Sequence, residues 1–286
     1  MAKKKKEYKI GVDIGGTKML AVLFDGTRVV EEYTLATPKD SVEHFVIMIN
    51  ALIEPFFEIA RKDKIEITGM GLGIAGVLDS RSRKITKSPN ISVIEGTDFL
   101  NKLEQKLSLP VFIDNDARCF LRAEVLVGIA KKYKNVSGVV IGTGIGGAWW
   151  NEGQAYLGAN GSAGEIGHNI IDIDNKTTLE QAYQNLTQRN PFNMSTEAYK
   201  GDVLAIKSFE EFGRILGFSL ASLINTTNPE VIVLGGGGMG ASDLFLAETK
   251  KTIKEYTHAE EARKTKILIS KLGKHAGAIG ASLLVE

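Results

Sequence analysis

Apolar residues in this chain gather into short runs that end on glycine. YKIGVDI leads into GGTK and then MLAVLFDG, which predicts a strand, a tight turn and a second strand, with a third near TRVVEEYTL. The period then lengthens. VEHFVIMINALIEPFFEIARK predicts an amphipathic helix that Pro55 must kink or divide, and Asp40 with Glu43 resembles a helix-start pair. ITGMGLGIAG reads as a buried strand, FLNKLEQKL as a helix, LPVFIDN as a buried strand and ARCFLRAEVLVGIA as a helix. Strands alternating with helices predict an α/β fold.

The opening pattern recurs in the second half. Residues 11–14, GVDI, and residues 138–141, GVVI, each end in a Gly/Thr turn and each precede another strand-like run. Two copies of one meander predict two similar α/β domains, with both glycine corners at a cleft. Further on, SFEEFGRILGFSLASLINTTNPE predicts a long helix opened by Ser208 and Glu211, with Gly213, Gly217 and Ala221 on one face to allow close helix approach. The strand VIVLG, the loop GGGMG, the helix ASDLFLAETKKTIKEY, the strand KILIS and the helix AGAIGASLLV complete the pattern. No low-complexity linker divides the halves, which places a hinge near residues 115–120.

Composition narrows the partners. At 286 residues, 43% hydrophobic and 24% charged, the chain suits two modest domains or one large one. Lys plus Arg (35) balances Asp plus Glu (34) to a net +1, which gives no electrostatic case for nucleic acid or membrane and favours a small molecule. Cys119, the one cysteine, can form neither an internal disulfide nor a Cys-rich zinc cluster. Lys3 to Lys6 read as a solvated tail, and no run has signal-peptide or membrane-span length, so the expected compartment is the cytoplasm.

Two stretches, GTGIGG and GGGGMG, match G-x-G-x-x-G. A strand-like run follows the first where a dinucleotide fingerprint needs a helix, and no acidic residue follows KILIS after the second, so a nicotinamide enzyme is disfavoured. No G-x-x-x-x-G-K-[ST] loop is present either. Glycine corners still suit phosphate, because backbone N–H groups can converge on an anionic oxygen. Gly15, Gly16 and Thr17 supply such a corner, and Asp13 before them can hold a hydrated Mg²⁺. Alone, the motif reads more readily as a tight turn with Asp13 as a solvated cap. In NGSAGEIGHNIID, Glu165 and His168 stand three apart; as residues they fit a metal pair, an acid/base couple or a polar-ligand reader.

DIGGTK, GLGIAG, SPN, IDNDA, GTGIGG, GEIGH and NPEVIVLGGG, in this order over nearly the whole chain, resemble the ROK family (repressor, open reading frame, kinase) of the actin-like sugar kinase superfamily. The resemblance implies two actin-like, ribonuclease H-like α/β domains facing a nucleotide and sugar cleft. Their expected extents are 1–117 plus 274–286, and 118–273. It implies MgATP as donor and a hexose as acceptor, glucose first, phosphorylated at the 6-hydroxyl. Family repressors carry a DNA-binding domain before DIGGTK; only a dozen residues precede Asp13 here, so the kinase branch is expected. A homodimer is expected because relatives are commonly dimers.

Carried over by position, Asp116 of IDNDA matches the catalytic base, a carboxylate able to take the acceptor hydroxyl's proton. Asp116 also reads as a helix N-cap. Gly76, Asn90, Asn115, Glu165 and His168 match sugar contacts, and Glu180 of TLE falls where the family has another. Gly15, Gly16, Thr17 and Lys18 match the first phosphate motif; Gly142, Thr143 and Gly144 match the second. Gly235, Gly236 and Gly237 match the loop near adenosine. Asp13 is expected to hold Mg²⁺ through water. Asp114 is no match, since relatives often have Glu there.

The chain departs from the family in two places. NIIDIDNKTTLEQAY replaces the Cys-rich run that binds a structural zinc with the His of GEIGH, so no zinc is expected, and Ile170 and Ile171 must anchor the loop instead. Ile94 stands where kinases commonly have an aromatic residue. These departures keep open an N-acetylhexosamine or N-acetylmannosamine kinase, a polyphosphate-dependent glucokinase or glucomannokinase, and a non-catalytic sugar sensor.

Overall fold

The run at GVDI, apolar except for Asp13, becomes the middle of a sheet covered on both faces. In the computed structural model, which describes residues 7–79 and 82–285, the chain folds into two units. The first holds the described residues up to Lys131, the segment Leu157–Ala163 and the chain from Lys274 onward. The Lys3 to Lys6 tail lies outside the described residues.

In the first unit, β1 (Glu7–Ile14), β2 (Lys18–Phe24) and β3 (Val29–Ala36) form an antiparallel meander, followed by α1 (Val42–Asp63) and β4 (Glu66–Ile74). The short hairpin β5 (Val77–Asp79) and β6 (Lys84–Lys87), then α2 (Phe99–Leu107), β7 (Val111–Asn115) and α3 (Asp116–Leu126) follow. The sheet order is β3-β2-β1-β4-β7, with β4 parallel to both β1 and β7. Strand alternation gives β1 two different faces. Ile10, Val12 and Ile14 enter a core with Phe45, Ile49, Ile53 and Phe56 of α1. Gly11 points the other way, against the C-terminal helix Ala276–Ser282, where a Cβ would lie 1.9 Å from the carbonyl oxygen of Ala278.

Glycine clears the same face elsewhere. A Cβ on Gly71 would lie 1.8 Å from the Ala281 carbonyl, and one on Gly280 would lie 1.6 Å from that of Cys119. The C-terminal helix is thus wedged between the sheet and α3 at backbone contact distance. Cys119 is fully buried there, and burial pushes its thiol well up, which makes it a packing residue.

The second unit repeats the plan. β8 (Val136–Ile141), β9 (Ile145–Asn151) and β10 (Gln154–Tyr156) form the meander. A small hairpin of β11 (Ile170–Asp172) and β12 (Thr177–Thr178) leads into α4 (Leu179–Leu186), α5 (Pro191–Tyr199) and α6 (Val203–Thr227). Then come β13 (Val231–Gly235), a run of 3-10 turns over Gly237–Leu244, α7 (Leu246–Tyr256) and β14 (Lys266–Ile269). The order β10-β9-β8-β13-β14 matches that of the first sheet strand for strand, so β8 is the counterpart of β1, as the GVDI/GVVI repeat predicts. Trp149 and Trp150 both lie on β9, and Trp149 stacks on Tyr156 of β10 with centroids 6.0 Å apart. α6 and α7 meet through small residues: a Cβ on Gly213 would lie 2.5 Å from the Phe245 carbonyl, and one on Gly217 2.4 Å from Thr252 Cβ.

Several local expectations are corrected. α1 runs unbroken through Pro55, because buried Leu52, Ile53 and Phe56 hold that turn despite the missing donor. Its cap is Ser41, which accepts from His44 N–H at 3.1 Å, while Asp40 binds the His44 ring at 2.7 Å and Glu43 pairs with Lys102. α6 starts at Asp202, which accepts from Ala205 N–H at 2.8 Å, so Ser208 lies inside the helix. The helix after GGGMG begins only at Leu246. Residues 118–131 and 157–163 lie in the first unit, not the second, and 115–120 is interior to it, because α3 packs on the C-terminal helix. No helix among the described residues is long and apolar enough to cross a membrane.

Candidate active site

β1 ends in a turn that the next strands pin. Gly15 N–H donates to Lys18 O at 3.0 Å, while Thr37, just past β3, donates its hydroxyl to Gly15 O at 2.7 Å and its N–H to Thr17 O at 3.0 Å. Gly16 and Asn90 are neighbours: a Cβ on Gly16 would lie 2.9 Å from Asn90 Cβ. Lys18 is exposed. Asp13 shares the face of Gly11, where Gly277 of the C-terminal helix makes room; a Cβ there would lie 2.6 Å from Asp13 Oδ2.

β7 and α3 deliver the next group. Asn115, not Asp116, caps α3: its Oδ1 accepts from Ala117 N–H at 3.0 Å and Arg118 N–H at 3.2 Å, and its Nδ2 donates to Gly76 O at 3.1 Å. Gly76 is required by close approach, since a Cβ would lie 2.5 Å from Lys87 O. Asp116 is the first helical residue, and its Oδ1 accepts from Ala117 N–H at 2.9 Å. A carboxylate at that position faces the positive end of the helix dipole and the local N–H groups. Asp114 lies beneath it, paired in the interior with Arg118, whose other nitrogen donates to Gly161 O at 2.8 Å.

Desolvation, then the Asp116 charge, pushes Asp13 up to about 7, against a smaller opposing pull from Lys18. Such a carboxylate gains from a cation, and Asp13 could hold Mg²⁺, which keeps several waters and needs few protein ligands. Among the described residues no group of three or more His, Cys, Asp or Glu could hold a metal ion. The sign of the shift gives a prediction. With its pKa raised in the fold, Asp13 costs stability as pH rises from the unfolded value, 3.8, through about 7, since only the unfolded chain ionises freely in that window. With EDTA present, Asp13→Asn raises the thermal midpoint at pH 8 and changes it little at pH 4; an equal effect at both pH values contradicts the assignment.

In the second unit, Gly142 N–H closes the second turn onto Gly144 O at 2.9 Å. Glu180 reaches it from α4, its Oε2 accepting from Ile145 N–H at 2.7 Å. The third loop lies beside it, because a Cβ on Gly236 would lie 2.3 Å from Ile141 O; Gly235 ends β13, and Gly237 opens the 3-10 turns. Tyr199 of α5 braces that loop by donating to Asp243 at 2.7 Å.

The small residues of GEIGH also have a packing role. A Cβ on Gly164 would lie 2.6 Å from Gly147 O and one on Gly167 2.0 Å from Ile145 O, so the segment lies flat on β9. Glu165 and His168 then project from one 3-10 turn, both exposed, with carboxylate and ring 3.9 Å apart. That spacing leaves both side chains able to engage a third polar group. β11, β12 and the bond from Leu179 N–H to Asn169 O at 2.9 Å tie the segment's far end to α4. Ile170 is 61% exposed and is no apolar anchor; Ile171 alone packs on the second core.

Thr37, Tyr183, Gln184, Tyr199 and Gly277 went unread as site residues, since each acts through contacts distant in sequence. For α5 a local sign was available: Asn190 before Pro191 is a cap followed by a proline in the first turn.

Residues 9–286 match the ROK family. The chain is 29% identical to N-acetylgalactosamine kinase AgaK of Shewanella sp. strain ANA-3, over 96% of this chain and 95% of that protein. It is 26% identical to the xylose repressor of Bacillus subtilis strain 168, over 99% of this chain and 78% of the repressor. The crystal structure of a ROK family glucokinase from Streptomyces griseus, in complex with glucose and AMPPNP, superposes with a TM-score of 0.81 at 27% identity, covering 97% of this chain and 99% of that one.

Proposed function

This chain belongs to the ROK family, and we propose that it is a hexose kinase that moves the γ-phosphoryl group of MgATP to the 6-hydroxyl of glucose. The observation that carries the reading is the pairing of Asp13 and Asp116, close enough to raise Asp13, beside a pinned glycine turn in one unit. A protein that only sensed sugar would have no use for two like charges held together at that energetic cost.

Asp116 takes the proton of the attacking hydroxyl at its carboxylate, which the Ala117 N–H orients through Oδ1. Asn115 holds the end of β7, the start of α3 and Gly76 in one geometry, so the base has a fixed direction. Gly15, Gly16 and Thr17, and Gly142, Thr143 and Gly144, present backbone N–H groups and hydroxyls to the donor phosphates; Lys18 adds positive charge. Gly235, Gly236 and Gly237 receive the nucleoside. Asp13 would hold Mg²⁺ through water, and the ion supplies charge neutralisation when bound. Glu165 and His168 accept and donate to sugar hydroxyls, with Asn90 beside the first turn. The similarity to an N-acetylgalactosamine kinase supports an N-acetylhexosamine as the second acceptor class. The protein works in the cytoplasm, as a homodimer.

Purified protein incubated with glucose, mannose and N-acetylhexosamines, each with MgATP or polyphosphate, tests the reading. Glucose 6-phosphate from MgATP is the expected product. Turnover of an N-acetylhexosamine alone, or with polyphosphate alone, would correct the acceptor or the donor, and no product from any pair would end the enzyme reading.

A further inference from the structure

α4 meets the second glycine turn along one whole face. Its register is set by a capping box in which Thr178 accepts from Gln181 N–H at 3.2 Å and the Gln181 side chain accepts from Thr178 N–H at 3.0 Å. In that register residues 180, 183 and 184 share a face, being three and four apart. All three bind backbone of the turn. Glu180 accepts from Ile145 N–H at 2.7 Å, the Tyr183 hydroxyl donates to Gly142 O at 3.2 Å, and Gln184 Nε2 donates to Thr143 O at 3.4 Å. Gly144 admits the carboxylate, since a Cβ there would lie 2.1 Å from Glu180 Oε2.

These bonds orient the peptide planes of the turn. In a trans peptide the N–H points opposite to the preceding C=O. With the carbonyls of Gly142 and Thr143 drawn to α4, the N–H groups of Thr143 and Gly144 face the opposite side. Two neighbouring N–H groups on one side of a glycine turn form an anion cradle. Burial pushes Tyr183 up to about 12, so its hydroxyl stays a donor across the working pH range. The Glu180 carboxyl is held on the α4 side by the Ile145 N–H.

We propose that Glu180, Tyr183 and Gln184 are positioning residues for the phosphoryl donor, fixing the Gly142–Ile145 backbone so that the N–H groups of Thr143 and Gly144 face the donor phosphates. The proposal rests on the kinase reading and gives Glu180 this role in place of the sugar contact the family pattern implies.

The test uses the full-length protein, with calorimetric titration of AMPPNP and, separately, of glucose, alongside KM for ATP and for glucose. Glu180→Ala is expected to weaken AMPPNP binding and raise KM for ATP about tenfold, the size of one charge-assisted hydrogen bond, with glucose affinity within about threefold. Glu180→Gln keeps an acceptor oxygen and restores nucleotide affinity to within about threefold of wild type. Tyr183→Phe removes only the hydroxyl and weakens AMPPNP about threefold, without moving glucose affinity. The proposal is overturned if both Glu180 variants lose glucose affinity while AMPPNP binds as before, or if Tyr183→Phe leaves AMPPNP affinity unchanged. The phenylalanine and glutamine variants decide the matter even if Glu180→Ala does not fold. Wild-type protein that binds AMPPNP but phosphorylates no sugar overturns the kinase reading alone, and the nucleotide affinities then still decide the positioning role.

Discussion

Replacing Asp116 with Asn is expected to lower kcat about a thousandfold while leaving sugar affinity within about twofold, the range a general base contributes. The substitution is close to isosteric, and the amide oxygen can still accept from Ala117 N–H, so the first turn of α3 is kept. What disappears is the capacity to take the acceptor's proton. A second readout separates base loss from general damage. The Asp116 charge is one of the causes raising Asp13, so its removal should bring Asp13 down from about 7 toward the ordinary carboxylate range. A pH titration of the Asp13 side-chain carbon by NMR, on metal-free protein, reads that shift directly. Full turnover in the variant would show that the base is another group, and an unmoved Asp13 would show that the two carboxylates are not neighbours.

Substituting Gly71 with Ala should be the most destabilising single-methyl change in the first unit's sheet. The added carbon would sit 1.8 Å from the backbone oxygen of Ala281, and backbone of a packed helix cannot give way as the tip of a side chain can. Overpacking costs typically 1–3 kcal/mol, and a clash of this depth belongs at about 3 kcal/mol or above, which for a domain of this size lowers the thermal midpoint by on the order of 10 °C. Gly240→Ala is the matched comparison, because nothing lies within 4 Å of a Cβ there. Equal midpoints for the two variants, measured by circular dichroism, would refute the wedge described for the C-terminal helix.

The sequence was legible where one local pattern met one physical cause. GVVI is apolar without alternation, and GVDI departs from that only at Asp13, because both lie at the centre of a sheet; each is followed by glycine because the chain reverses there. The two matching sheet orders follow from that repeat. Caps were less legible. At the start of α6, Val203 and Leu204 are 61% and 76% exposed, so the amphipathic signal begins a turn late and draws attention to Ser208 instead of Asp202.

Contacts across long sequence distance could not be read at all. The unit boundary near Lys131 depends on the Gly280–Cys119 approach, a meeting of α3 with the chain's last helix. Likewise the partner of Glu180 lies 35 residues back at Ile145. Motif position nominated Asp13, Asn90, Asn115, Asp116 and the glycine turns as candidates. Only the structure shows what holds them, because caps, pinned carbonyls and close glycine contacts leave no pattern in the chain.

β9 gives the protein an optical property. Its two tryptophans are the only ones in the chain and sit side by side at Trp149 and Trp150, on the strand whose first residue, Ile145, is the one Glu180 grips. The tryptophan emission therefore originates from a single strand, and Tyr156 stacked on Trp149 lies within energy-transfer distance of it. Fluorescence from unlabelled protein is in effect a probe built into the continuation of the second glycine turn.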